Sequence, residues 1–110
     1  MEDIVEFFGL IRRKTGLRSY AAIAREVRIP EGNISNYTRG KSHPPDDIMI
    51  KFAKLAGIEP EVALLLVAKW RTDRKTKKIY DEMIRREERR IEARKKKRLR
   101  NIRGTNKHAA

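Results

Sequence analysis

The sequence predicts an all-α protein, and three observations carry that expectation. Apolar residues recur at the helical spacing of about 3.6 in five successive segments, each bounded by Gly, Pro or a small polar residue. No segment alternates apolar and polar residues as a half-buried strand would. Beyond Arg71 the chain consists mainly of strong helix formers, with neither Gly nor Pro before Gly104.

The first helix is expected over the opening 14 residues. Ile4, Val5, Phe8 and Ile11, flanked by Phe7 and Leu10, oppose Glu2, Glu6, Arg12 and Arg13, and Gly16 closes the segment. Ser19 is placed to cap a second, short helix with apolar residues Tyr20, Ile23, Ala24 and Val27, ending near Arg28. Pro30 stands where a helix start tolerates proline, and a third helix follows over about 31–38, with Ile34 and Tyr37 facing one way and Asn33, Ser35 and Asn36 the other. Residues 39–45 lack periodicity and end in Pro44-Pro45, so they read as a loop. Asp46 or Asp47 can cap the fourth helix, which carries Ile48, Met49, Phe52, Ala53 and Leu55 and stops at Gly57.

The fifth helix opens at Pro60 and is apolar nearly all round: Val62, Leu64, Leu65, Leu66, Val67 and Trp70. One stripe would suffice for a core, so the excess predicts a homodimer contact. A long helix over 71–103 follows, with Tyr80, Met83, Ile84, Ile91, Leu99 and Ile102 at helix-compatible positions. It makes a poor coiled coil, because a register built on Tyr80 and Ile84 puts Glu87, Arg94 and Arg98 into core positions. The expected organisation is a domain over 1–70, a basic helical extension over 71–103 and a disordered tail over 104–110.

Length and composition narrow the function. The 110 residues have room for one core. There is no cysteine, and His43 and His108 are too far apart to supply a metal cage, so neither a metal nor a cofactor is expected. No apolar run reaches the roughly 18 residues of a membrane span, and the acidic start Met1-Glu2-Asp3 is unlike a signal peptide. A soluble, cytoplasmic protein is the expectation. No paired carboxylates, nucleophile constellation or Gly-rich phosphate loop points to an enzyme or a small-molecule substrate.

The formal net charge of +13 points to a polyanionic partner. It is unevenly spread: residues 1–70 hold 11 Lys/Arg and 9 Asp/Glu, a net +2, whereas residues 71–103 hold 16 and 6, a net +10. Arg94, Lys95, Lys96, Lys97, Arg98 and Arg100 put six cations in seven residues, suited to sequence-independent phosphate contacts. The alternative for this helix is a solvated rod laced by its own Glu/Arg pairs.

Residues 20–39 have the pattern of two short helices joined by a tight turn, the second able to enter a major groove. Ala24 is small where the helices would cross, and Ile34 and Tyr37 are apolar on the inner side. Together with Ala24-Arg25-Glu26, the run Ile34-Ser35-Asn36-Tyr37, Arg39-Gly40-Lys41 followed by Pro44 or Pro45, and Ile50, Phe52-Ala53 and Leu55-Ala56-Gly57, this stretch resembles the lambda repressor and Cro family of helix-turn-helix proteins, the Xre-type regulators, over residues 4–70. The resemblance implies a five-helix domain that binds double-stranded DNA sequence-specifically and regulates transcription, by family habit as a repressor, with a phage-related origin. It implies base contacts from Glu31, Gly32, Asn33, Ser35 and Asn36, and phosphate contacts from Ser19, Tyr20, Arg28, Arg39 and Lys41. Asn33 and Asn36 are the strongest readers, since an asparagine amide can pair bidentately with adenine. A homodimer would set two such helices about 34 Å apart over a palindromic site.

Several of these residues have structural alternatives. Glu31 could simply favour a helix start through the dipole, Tyr20 could pack, Tyr37 fits the core better than a contact, and His43 fits a loop. Two positions depart from the family pattern. Arg28 stands where the turn usually has glycine, and Pro30 replaces the usual Ser or Thr cap, a change that forgoes about 1 kcal/mol. Rival functions are a protein-binding adaptor built on the same fold, and a general nucleic-acid accessory in replication or packaging.

Overall fold

In the computed structural model six helices follow one another: α1 (Ile4–Thr15), α2 (Tyr20–Val27), α3 (Glu31–Thr38), α4 (Asp46–Ala56), α5 (Pro60–Arg71) and α6 (Arg74–Ala109). The structure describes residues 1–109, with side chains described through Ile102. The disordered tail expected at 104–110 falls outside the described side chains. Among the described residues there is no strand, so the protein is all-α. No helix among them is long and apolar enough to cross a membrane.

Each helix starts and stops for a local reason. Asp3 and Ser19 cap α1 and α2, accepting the amide hydrogens of Glu6 (3.0 Å) and Ala22 (3.1 Å). Neither Asp46 nor Asp47 caps α4 as expected. Pro45 occupies the cap position without a side-chain bond, and both aspartates lie in the first turn, where their charge meets the positive end of the helix dipole. Gly16 and Gly57 end α1 and α4 in the left-handed conformation that glycine adopts without a Cβ clash.

The core is built around aromatic rings from all of α1 to α5. Phe8 stands edge-on to Phe52 of α4 (5.2 Å between centroids) and tilts against Tyr20 of α2 (5.5 Å), while Tyr37 of α3 meets Phe52 at 6.4 Å. Phe7 meets Trp70 of α5. Ile11, Ile23, Ile34 and Met49 fill the space between with no exposure at all. At roughly 1.5–3 kcal/mol for each large side chain removed from water, this cluster is what holds the five short helices, several of which are too brief to persist alone.

The fifth helix differs from the sequence expectation in what covers it. Its apolar excess is met by α6: from Val62 to Trp70 no residue is exposed, and Ile84 and Ile91 of α6 join the same core. The excess therefore gives no ground for a dimer contact. The long helix also begins later than expected, because Thr72 is extended (φ −99°, ψ 171°) and Asp73 restarts the helix by accepting the Thr76 amide hydrogen (2.9 Å). That bond holds the Asp73 carboxyl below its ordinary pKa.

A charged residue is buried at this seam. Lys69, 1% exposed, donates to Asp81 of α6 (2.7 Å), to Glu2 (3.3 Å) and to the Met1 carbonyl (3.2 Å), and Trp70 Nε1 donates to the same carbonyl. One ammonium thus ties the N-terminus, α5 and α6 together.

Candidate nucleic-acid interface

α2 and α3, eight residues each, are joined by Arg28, Ile29 and Pro30. The joint is a Schellman turn: Ile29 N–H donates back to Ala24 C=O (3.0 Å) and Arg28 N–H to Arg25 C=O (3.3 Å). Its left-handed residue is Arg28 (φ 62°, ψ 50°), the one non-glycine with positive φ among the described residues. The arginine therefore keeps the glycine-type turn rather than reshaping it, at a cost of about 1 kcal/mol or more. Lys51 of α4 donates to the Val27 carbonyl (3.5 Å), which supports the same helix end and sets a second cation near Arg28.

The inner side of α3 is Ile34 and Tyr37, both buried. Burial, and then the nearby Asp47 carboxylate, push the Tyr37 phenol above its ordinary pKa, so its hydroxyl stays protonated. At about 3.6 residues per turn, Gly32, Ser35, Asn36 and Arg39 fall opposite these two, and Asn33 falls at the flank. Gly32 and Arg39 are exposed, whereas Asn33, Ser35 and Asn36 are half-buried. A Cβ at Gly32 would meet nothing within 4 Å, so the glycine leaves an open approach to the helix. Glu31 lies exposed in the first turn, where both roles weighed for it remain available. Pro30, at the cap position, supplies no side-chain bond, so the first amides of α3 gain no capping partner from it.

α3 ends on a second Schellman turn, with Lys41 N–H donating to Asn36 C=O (2.9 Å) and Gly40 N–H to Tyr37 C=O (3.1 Å). This turn delivers Lys41, fully at the surface, directly after the helix. Arg39 folds its Nε back onto Ser35 C=O (3.2 Å), which fixes the guanidinium beside Ser35. Ser19 accepts a capping bond through Oγ, and its hydroxyl hydrogen is left to donate. Tyr20 packs against Phe8 and lies under the Arg12 guanidinium (4.5 Å), so its ring serves the core. The residues expected to touch a ligand are thereby brought to α3, its two flanking turns and the start of α2.

The loop after Lys41 is anchored by a residue that sequence reading left aside. Arg71 Nη2 donates to the carbonyl of buried Pro44, and Nη1 pairs with Asp46 (3.3 Å). His43 is exposed on this loop, and burial of the ring, Arg71 and Lys77 lower its pKa. It is therefore neutral at physiological pH.

The C-terminal cations are all exposed but point to different sides of α6. Arg94, Lys95 and Arg98 line a groove with Glu59, Glu61 and Ile91, beside α5, whereas Lys96, Lys97 and Arg100 are exposed on other sides of the helix. No family model, curated protein or solved structure matches this chain.

Proposed function

We propose that residues 20–41 form a helix-turn-helix of the lambda repressor and Cro type, and that the protein is a sequence-specific regulator of transcription, acting by repression, that binds double-stranded DNA. The observation that carries this reading is the α2–α3 joint. Arg28 holds the left-handed turn at a residue type that resists it, and the result presents Gly32, Ser35 and Asn36 outward with Ile34 and Tyr37 in the core. Ser19, Arg28 and Lys41, at three helix ends around α3, supply donors for phosphates, and Arg39 positions Ser35. The protein acts by binding rather than by catalysis. Two copies on successive major grooves would be brought together by a palindromic site, through a surface other than α5.

Selection of duplexes from a random pool by the full chain, followed by gel shifts, tests the reading. Asn33→Ala and Asn36→Ala should each cost about 1–3 kcal/mol of discrimination for the selected sequence. Equal affinity for all duplexes, unmoved by both substitutions, would overturn it.

A further inference from the structure

At its C-terminal end α3 borders a hollow of about 320 Å3, which the start of α1, the loop after Lys41, the end of α5 and the start of α6 also line. The residue from α6 is Lys77. It lies seven residues before Ile84, on the side of the helix that packs on α5, and is half-buried. Buried Lys69 has two carboxylates, whereas Lys77 forms no ion pair among the described residues.

The groups around Lys77 leave positive charge uncompensated. Arg39 and His43 line the same hollow, and Arg71 of α5 acts on His43 together with Lys77. The two acids in the wall are engaged elsewhere: Glu2 pairs with Lys69 (3.3 Å), and Asp3 accepts the Glu6 amide hydrogen (3.0 Å). Such a collection of cations calls for an anion. Arg39 shows where one would come from. It falls on the outer side of α3 with Ser35 and Asn36, bonds to Ser35 C=O through Nε alone, and lines the hollow with its neighbours. The hollow therefore adjoins the outer side of α3.

We infer that Lys77 and His43, together with Arg39, hold a backbone phosphate of the duplex that α3 reads, so that the start of α6 completes the reading surface. The inference rests on the reading of α3 as the sequence-specific helix. His43 gives the contact a signature. Arg71 and Lys77 face it from α5 and α6, and Glu2, Asp3, Tyr37 and Arg39 share its hollow from the start of α1 and the end of α3. In the free protein burial, then Arg71 and Lys77, lower its pKa from 6.5. A phosphate oxygen beside the ring raises it, because an opposite charge favours the protonated form. Binding then takes up a proton, and affinity rises as pH falls through this range.

Titration of the full chain with a selected duplex, an arbitrary duplex and a mononucleotide, across salt and pH, tests this. Lys77→Gln should weaken both duplex complexes by about threefold to tenfold near physiological salt and lower the salt slope by about 0.9, with the preference between them unchanged. Its melting temperature should match the wild type, since no ion pair is lost, and Lys77→Arg should keep the wild-type slope. Lys78→Gln removes the same charge one residue on, outside the hollow, and should change affinity by less than about twofold. From about pH 7.5 to about pH 5.5, the ratio of wild-type to His43→Gln affinity should rise at least about threefold. Failure of α3 as the reader shows separately, as a wild type with no preference between the duplexes. Equal effects of Lys77→Gln and Lys78→Gln, or parallel pH curves for wild type and His43→Gln, overturn the inference. So does weakening by Lys77→Gln that is confined to the mononucleotide, which would assign the hollow to a small anion.

Discussion

The five short helices and α6 are made of the same secondary structure under opposite constraints. In α1 to α5 the buried residues come every third or fourth position and interlock around Phe8 and Phe52, while cations and acids nearly balance. In α6, 36 residues long, only Ile84 and Ile91 are buried among the described residues, and cations dominate. The front of the chain is helical because packing makes it so; α6 is helical because its residues favour helix locally, and its position depends on a few groups. The difference separates two questions that charge alone runs together, namely what holds the fold and what attracts a polyanion.

Ending the chain after Thr72 breaks the comparison most severely. Loss of Ile84, Ile91 and half-buried Tyr80 should cost about 4 kcal/mol, taking roughly 1.5–3 kcal/mol for each large side chain and allowing for partial cover. Val62 and Lys69, which face α6, would be uncovered, so the shortened chain should melt early and self-associate by light scattering. Ending the chain after Arg98 should change stability by no more than about 0.5 kcal/mol, because Leu99 and Ile102 are 56% and 57% exposed. Equal melts for all three chains would show that α6 is an appendage and not the cover of α5.

A smaller effect is expected at the ammonium that joins the two regions. Asp81→Ala leaves Lys69 buried with one carboxylate fewer, and should cost about 2 kcal/mol, less than a fully buried pair because the Asp81 side chain is 40% exposed. Lys69→Met keeps the volume and removes the charge, and should be nearly neutral. Burial by itself lowers the pKa of Lys69, but the bonds from Asp81 and Glu2 outweigh it and raise the value above the ordinary 10.5. The folded state therefore holds this proton more tightly than the unfolded chain. Its contribution is complete below about pH 10.5 and is lost as pH rises through the raised value. Thermal melts between neutral and strongly alkaline pH should fall more steeply for the wild type than for Lys69→Met.

Helix existence was legible in the sequence because periodicity, Ser19, Pro60 and the terminal glycines agree with one another. The cover of α5 was not. Its apolar run states that two sides are buried without stating by what, and Ile84 and Ile91 are too sparse within a charged helix to announce themselves. Lys69 and Arg71 were passed over because a cation beside Trp70 in an otherwise apolar helix gives no hint of partners 12 residues ahead or 27 behind. Within α3, Ser35 and Asn36 could be assigned outward once Ile34 and Tyr37 were assigned inward, since helical geometry fixes one from the other. The basic run at 94–100 shows the same geometry: its six cations are adjacent in sequence and all exposed, but they are spread around the helix rather than set on one side.

The smallest effect concerns the joint between α2 and α3, and α4 provides its internal control. α2 and α4 end on the same Schellman turn, with Ile29 bonding to Ala24 and Ile58 to Ala53, each at 3.0 Å. The left-handed residue is Arg28 in one and Gly57 in the other. Arg28→Gly should stabilise the protein by about 1 kcal/mol, and Gly57→Ala should destabilise it by about the same amount, since a Cβ is disfavoured in that conformation. If stability were all that mattered at this turn, glycine would serve α2 as it serves α4. If the proposed phosphate contact is what offsets this cost, Arg28→Gly should weaken binding to every duplex alike and lower the salt slope by about 0.9, with sequence preference unchanged. A more stable variant with unaltered affinity would leave the strain at Arg28 without a purpose in DNA binding and would move attention to Lys51, its neighbour at the same helix end.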